Sequence, residues 1–160
     1  MAIGTAYQGS TNLASTIEVE LRRDLETYAL SLQAVVQGLK MRELATLSPK
    51  LRDAILFDNS SHAPQYGSIL VIDEKGWVKL SSTARLPPGY DFSDRDFFKI
   101  HRNNPDLGIK LTAPYYQTLD GDALIVLSRR INHPDGSFAG IVAGAIRVRY
   151  VEQLFHGIKI

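Results

Sequence analysis

Three turn signals constrain the second half of this chain: Asp73-Glu74-Lys75-Gly76, Asp120-Gly121 and Pro134-Asp135-Gly136 each separate two runs rich in β-branched and apolar residues. So tight a connection cannot bring a strand back parallel to its neighbour, so each pair that it joins must be antiparallel. Residues 68–72 and 77–82 therefore form a hairpin, and residues 109–117, 123–131 and 137–148 form a three-stranded meander. Residues 85–93, with Pro87, Pro88 and Gly89, cannot be regular structure. Ser93 is then a suitable N-cap for a short helix over residues 94–102, whose acidic start suits the helix dipole, and Pro105-Asp106-Leu107-Gly108 closes it.

The first third reads as helix. Residues 13–47 contain no proline and one glycine, and Leu21, Leu25, Tyr28, Leu32, Val35 and Leu39 recur at alternating steps of four and three. Thr11 or Asn12 caps its start, or Ser15 does so with Glu18 in a capping box. The seam serves equally a helix lying on its own sheet and a helix pairing with its copy in a dimer. After Pro49 a short amphipathic piece over residues 51–57 leads into a polar loop over residues 58–66, and a last amphipathic turn covers residues 150–155. The expected fold is α+β: a PAS-like five-stranded antiparallel sheet with a long N-terminal helix packed on it and a short lid helix. In domain terms, residues 1–48 are the long helix, 49–156 the sheet module and 157–160 the start of a linker.

Composition narrows function mainly by exclusion. Eighteen basic against seventeen acidic residues give a net charge of +1, without the electrostatic footprint that nucleic-acid binding needs. No apolar run approaches the roughly 18–20 residues that span a bilayer, and residues 1–8 lack the pattern of a signal peptide. With no cysteine there is no disulfide, thiolate nucleophile or cysteine-held metal. The four histidines, His62, His101, His133 and His156, have no metal-ligand spacing, and no Gly-x-Ser-x-Gly elbow or phosphate loop is present. Neither an enzyme nor a cofactor is expected.

The order of elements and three local motifs resemble the Cache, or PDC, sensor domains. The motifs are the hairpin Ile69-Leu70-Val71-Ile72-Asp73-Glu74-Lys75-Gly76 running into Leu80-Ser81-Ser82, the stretch Asp94-Arg95-Asp96-Phe97-Phe98-Lys99-Ile100-His101, and Leu127-Ser128-Arg129-Arg130 followed by Pro134-Asp135-Gly136-Ser137-Phe138-Ala139-Gly140-Ile141-Val142. They span residues 67–155 and are most similar to the membrane-distal half of double-Cache ectodomains. The resemblance implies a non-catalytic, extracytoplasmic input domain of a membrane receptor of the histidine kinase or diguanylate cyclase type. Its localisation would be periplasmic, with the membrane reached only through segments outside this chain. The partner would be a small-molecule ligand, held between sheet and lid.

Arg95 is the first candidate for holding that ligand, because its planar fork of donors suits a carboxylate; pairing with Asp91, Asp94 or Asp96 is the alternative fate of such a residue. Tyr90, Arg95, Phe97 and Phe98 match the spacing that the resemblance associates with amino-acid binding, with Phe in place of the usual Trp and Tyr. The acidic residue expected on the last strand falls near Ala145, which offers an ammonium group nothing, so a carboxylate without an amine fits better. His101 is a further candidate for contact or pH sensing. Tyr115 and Tyr116 alternate faces of one strand, as do Arg129 and Arg130, so one of each pair points to the lid side; Arg129 is taken as the arginine that reaches the site. The competing reading is a ligand-free module for dimerisation or protein interaction.

Overall fold

The computed structural model describes residues 2–57, 66–83, 90–112, 114, 121 and 123–156, with side chains from residue 15 to residue 154. In chain order the elements are α1 (Ala2–Gly38), a 3-10 turn (Arg42–Thr46), α2 (Pro49–Leu56), β1 (Leu70–Asp73), β2 (Val78–Ser81), α3 (Asp96–Asn103), β3 (Lys110–Leu111), β4 (Leu124–Asn132), β5 (Phe138–Arg147) and α4 (Val148–His156). The sheet is antiparallel throughout and runs β2-β1-β5-β4-β3, the expected PAS-like α+β arrangement. The first and last strands meet at its centre, where Val71 lies opposite Val142 and Ile72 opposite Ile141. Among the described residues, no helix is long and apolar enough to cross a membrane.

The sheet separates two apolar layers. On one face Val71, Leu127, Val142 and Ile146 pack against Tyr28, Leu32, Val35 and Val36 of α1. On the other face Ile72, Val126, Ile141 and Ala143 pack against Phe97 and Phe98 of α3. Along β1, β4 and the body of β5 the side chains alternate between these layers, as a period of two requires. Register shifts against β2 at Val71/Ile72 and against β5 at Ile131/Asn132 interrupt the pattern, so that Val78 and Leu80, two residues apart, lie in different layers. Tyr28, Leu32 and Val35, the middle of the α1 seam, are fully buried, and Leu25 and Leu39 pack at the edge of the same cluster. The seam is thus spent on the chain's own sheet.

The limits of α1 and α3 differ from the sequence reading in ways that packing and turn contacts explain. The first helix begins at Ala2, ahead of every cap considered, and ends at Gly38 instead of running to about residue 47. Its end is set by packing: a Cβ on Gly38 would stand 2.8 Å from Leu56 Cδ2. Helix α2, capped by Ser48, which accepts the Leu51 amide, crosses closely at that point, and Leu44 of the intervening 3-10 turn is buried beneath it. The short helix starts at Asp96, not at residue 94, because the Ser93 amide is already held by Asp91 Oδ1 at 2.8 Å, which keeps Ser93 and Asp94 in a turn.

Tyr28 ties α1 to β5 in an unusual way. Its hydroxyl accepts the Ala145 amide at 3.1 Å and donates to the Gly67 carbonyl at 3.5 Å, so a phenol bridges two groups that a continuous ladder would join directly. Gly144 makes this possible, since any Cβ there would lie 2.7 Å from the Tyr28 ring. The ring stacks on Tyr66 at 4.1 Å, Tyr66 donates to the Asp24 carbonyl, and Tyr150 of α4 donates to the Asp24 carboxylate. One turn of α1 therefore holds β5, the entry to β1 and α4 together.

Candidate functional site

Arg95 is positioned through the β1–β2 turn. Asp73 Oδ1 accepts the amides of Lys75 and Trp77 at 2.9 and 3.0 Å, and Gly76 takes a φ of +97°, a backbone conformation that L side chains rarely adopt. The loop before α3 rests on this turn: the Phe92 amide donates to the Gly76 carbonyl at 2.8 Å, and Asp91 bridges to Trp77. A Cβ on Gly76 would lie 2.6 Å from the Ser93 nitrogen, so the seat requires glycine. Arg95 then donates its amide to the Phe92 carbonyl, adopts extended backbone as the N-cap, and its own carbonyl accepts from Phe98 and Lys99. Its half-buried side chain leaves from the start of α3. The ring of Phe92 stands 4.9 Å from Tyr90 and 6.0 Å from Phe97, giving a run of three aromatic rings along the approach to α3 and its first turn.

Phe98 is fully buried edge-on to Phe138 at 5.3 Å, and Phe97 is buried against the same layer. His101 is 0% exposed, with Nε2 2.9 Å from the equally buried Ser128 Oγ. Burial holds its imidazole below the ordinary histidine value, and the cations Arg130, Arg129 and Lys110 add to that; the Ser128 contact opposes it. Tyr115 and Tyr116 lie outside the described residues.

Alternation decides between the two arginines. Leu127 and Ile131 belong to the α1 layer and Val126 to the α3 layer, so Arg129 shares the α1 face while Ser128 and Arg130 face α3. Arg130 is engaged there on every side. Its Nη1 donates to the carbonyls of His101 and Arg102 at 2.9 and 3.3 Å, Nη2 to Gly136 O at 3.3 Å and Nε to Asn132 Oδ1 at 2.6 Å, while its plane covers Phe138 at 5.2 Å. A guanidinium at the negative end of α3 both fills orphan carbonyls and matches the dipole. The sequence showed that the pair takes opposite faces; it held no sign of which face each takes.

On the α3 face, Ala143 and Ala145 of β5 present only methyl groups opposite Ser128 and Val126 of β4. Ala145 thus lies on the α3 face and brings no charge to it. On this face apolar residues of β1, β4 and β5 lie under α3, and Tyr90, Phe92 and Phe97 form a run of rings at its start, where Arg95 is the N-cap.

No family model and no curated protein sequence matches the chain. Solved structures do. The extracellular domain of rpHK1S-Z16, designated a histidine kinase, superposes with a TM-score of 0.80 at 24% identity, over 99% of this chain and 64% of that one. The ligand-binding domain of the Campylobacter jejuni chemoreceptor Tlp3, in complex with L-valine, gives 0.70 at 16% identity over 96% of this chain and 64% of that one. The ligand-binding domain of the Pseudomonas aeruginosa amino-acid chemoreceptor PctC, in complex with GABA, gives 0.68 at 15% identity, over 94% and 67% respectively. The chain thus spans about two thirds of the length of these domains. The PAS-like sheet, the long α1 and the short α3 over the opposite face are together the fold of these extracellular and ligand-binding domains.

Proposed function

We propose that this chain is the signal-input part of an extracytoplasmic receptor, a non-catalytic domain that binds a small carboxylate between α3 and the sheet. The observation that supports the reading is that Arg95, a half-buried residue, stands as the N-cap of α3 in the stretch that also carries the rings of Tyr90, Phe92 and Phe97. Two parallel N–H donors take a carboxylate in bidentate fashion, and the positive end of α3 adds to the attraction. Tyr90 and Phe97 supply the wall; Phe98 and His101 are committed to packing within the protein.

L-Valine and GABA, the ligands of two similar domains, are carboxylates that also carry an amine. At Ala145 this chain has a methyl group where an ammonium would need an anion, so the favoured ligand here is a carboxylate without one. Binding shifts the balance between an open and a closed α3, and the change passes through β5 and Tyr28 to α1. The whole receptor, of the histidine kinase or diguanylate cyclase type, would place this domain in the periplasm. Pairing of two copies through α1 is part of this reading. Because the seam is buried, it runs along the outer face, where Val19 is 53% and Leu30 66% exposed.

A thermal-shift screen of the purified chain against carboxylates, amino acids, amines and nucleobases tests the proposal, since a ligand at about 100 times its Kd stabilises by about 2.7 kcal/mol. The expected result is a shift with amine-free carboxylates that disappears in Arg95→Ala. A shift that survives that substitution removes Arg95 from the site, and silence across the panel favours a ligand-free interaction module.

A further inference from the structure

The C-terminal half of α3 lies against a polar group that ligand binding does not use. His101 is wholly enclosed between α3 and the sheet, with Nε2 on Ser128 Oγ at 2.9 Å. Among the described residues its Nδ1 is buried and meets no hydrogen-bond partner. The neutral ring fits this setting when Nε2 carries the hydrogen and donates to Ser128, which leaves only a lone pair at Nδ1. The imidazolium does not fit, because it places a second N–H on Nδ1, where no acceptor waits.

Its surroundings oppose that charge from each side. Arg130 of β4 faces it directly, Lys110 of β3 shares the same sheet face opposite Ser128, and Arg129 of β4 acts on it from the other face. On α3 itself Arg102 follows it, while β5 and β1 contribute the apolar Ile141, Ala143 and Ile72 to this layer. Burial lowers the imidazole's affinity for a proton, and the neighbouring cations lower it further.

We propose that His101 makes α3 a pH-sensitive latch: the neutral imidazole keeps the C-terminal end of the helix seated on β4, and its protonation lifts that end. The released contacts are those of Arg130 to the carbonyls of His101 and Arg102, together with the bond to Ser128. The sign follows from linkage. The open state takes up the proton at the ordinary histidine value of about 6.5, and the closed state only at a lower one. Closure is therefore at full strength above about pH 6.5 and weakens as pH falls towards the closed-state value. A consequence for Arg95, at the other end of the same helix, rests on the sensor reading; the latch itself does not.

The test uses the ligand-free chain, so it stands apart from the carboxylate screen. Histidine side-chain NMR from about pH 8 to about pH 5 follows His101 in the wild type, with the signal assigned by its loss in His101→Gln. Amide hydrogen exchange, corrected for its intrinsic pH dependence, follows α3. The expected result is a His101 midpoint below about 6.5, with α3 protection falling by up to roughly tenfold per pH unit below that value while β4 and β5 keep theirs. In His101→Gln, whose amide can still meet Ser128, α3 protection should not change with pH. A His101 midpoint at or above about 6.5 overturns the latch, as does equal pH dependence in the variant or loss of α3 protection only together with that of the central strands. If His101→Gln does not fold, sequential assignment identifies the His101 signal and the two wild-type measurements decide.

Discussion

Tyr28 and Gly144 form the most exacting contact in the protein. The Ala145 amide gives its hydrogen to the Tyr28 hydroxyl, and burial pushes that phenol far above its ordinary range, so it remains neutral and able to bridge. Tyr28→Phe leaves a buried N–H without an acceptor and should cost about 1–3 kcal/mol, read as a lower urea midpoint at unchanged slope. Gly144→Ala drives a methyl into the same ring and should cost about 1–3 kcal/mol. The sequence marked Tyr28 as a seam residue but not as a hydroxyl bridge. The bridge exists only because a glycine more than a hundred residues away leaves room for it, and no spacing rule reports such a distant vacancy.

At the scale of the helix, burial separates two leucines of α1. Leu32 is fully enclosed in the α1 layer, whereas Leu30 is 66% exposed. Leu32→Ala should cost about 2–5 kcal/mol, while Leu30→Ala should stay within about 0.5 kcal/mol, both by denaturant titration. The contrast was legible from the four-and-three spacing, which includes Leu32 and omits Leu30. At α3, Arg130→Met removes the guanidinium that fills the last carbonyls. Hydrogen exchange there should accelerate while α1 keeps its protection. That role was not legible, because alternation separates Arg129 from Arg130 without saying which of them meets the helix.

For the whole molecule, the distribution of apolar surface sets how copies meet. With the seam buried, Val19 and Leu30 are the exposed large apolar residues among the described side chains of α1. Replacing both by Glu should leave the thermal transition almost unchanged and convert any dimer to monomer, as judged by sedimentation velocity across concentration. A dimer that persists in the double variant places pairing elsewhere. Ligand stabilisation belongs to this scale too: on the proposed sensor reading, a carboxylate held by Arg95 should raise the midpoint of the entire cooperative unit.

The chain by itself determined the main elements and their antiparallel pairing, because turn chemistry and hydrophobic period are local properties of neighbouring residues. Only the tertiary structure decided that α1 spends its seam on the sheet, that β1 lies beside β5, and that Arg130 and Ser128, not Arg129, meet α3. It also decided that His101 is an enclosed neutral base. Each of these depends on which face of one element meets another, and a sequence period fixes the spacing of faces without fixing their partners.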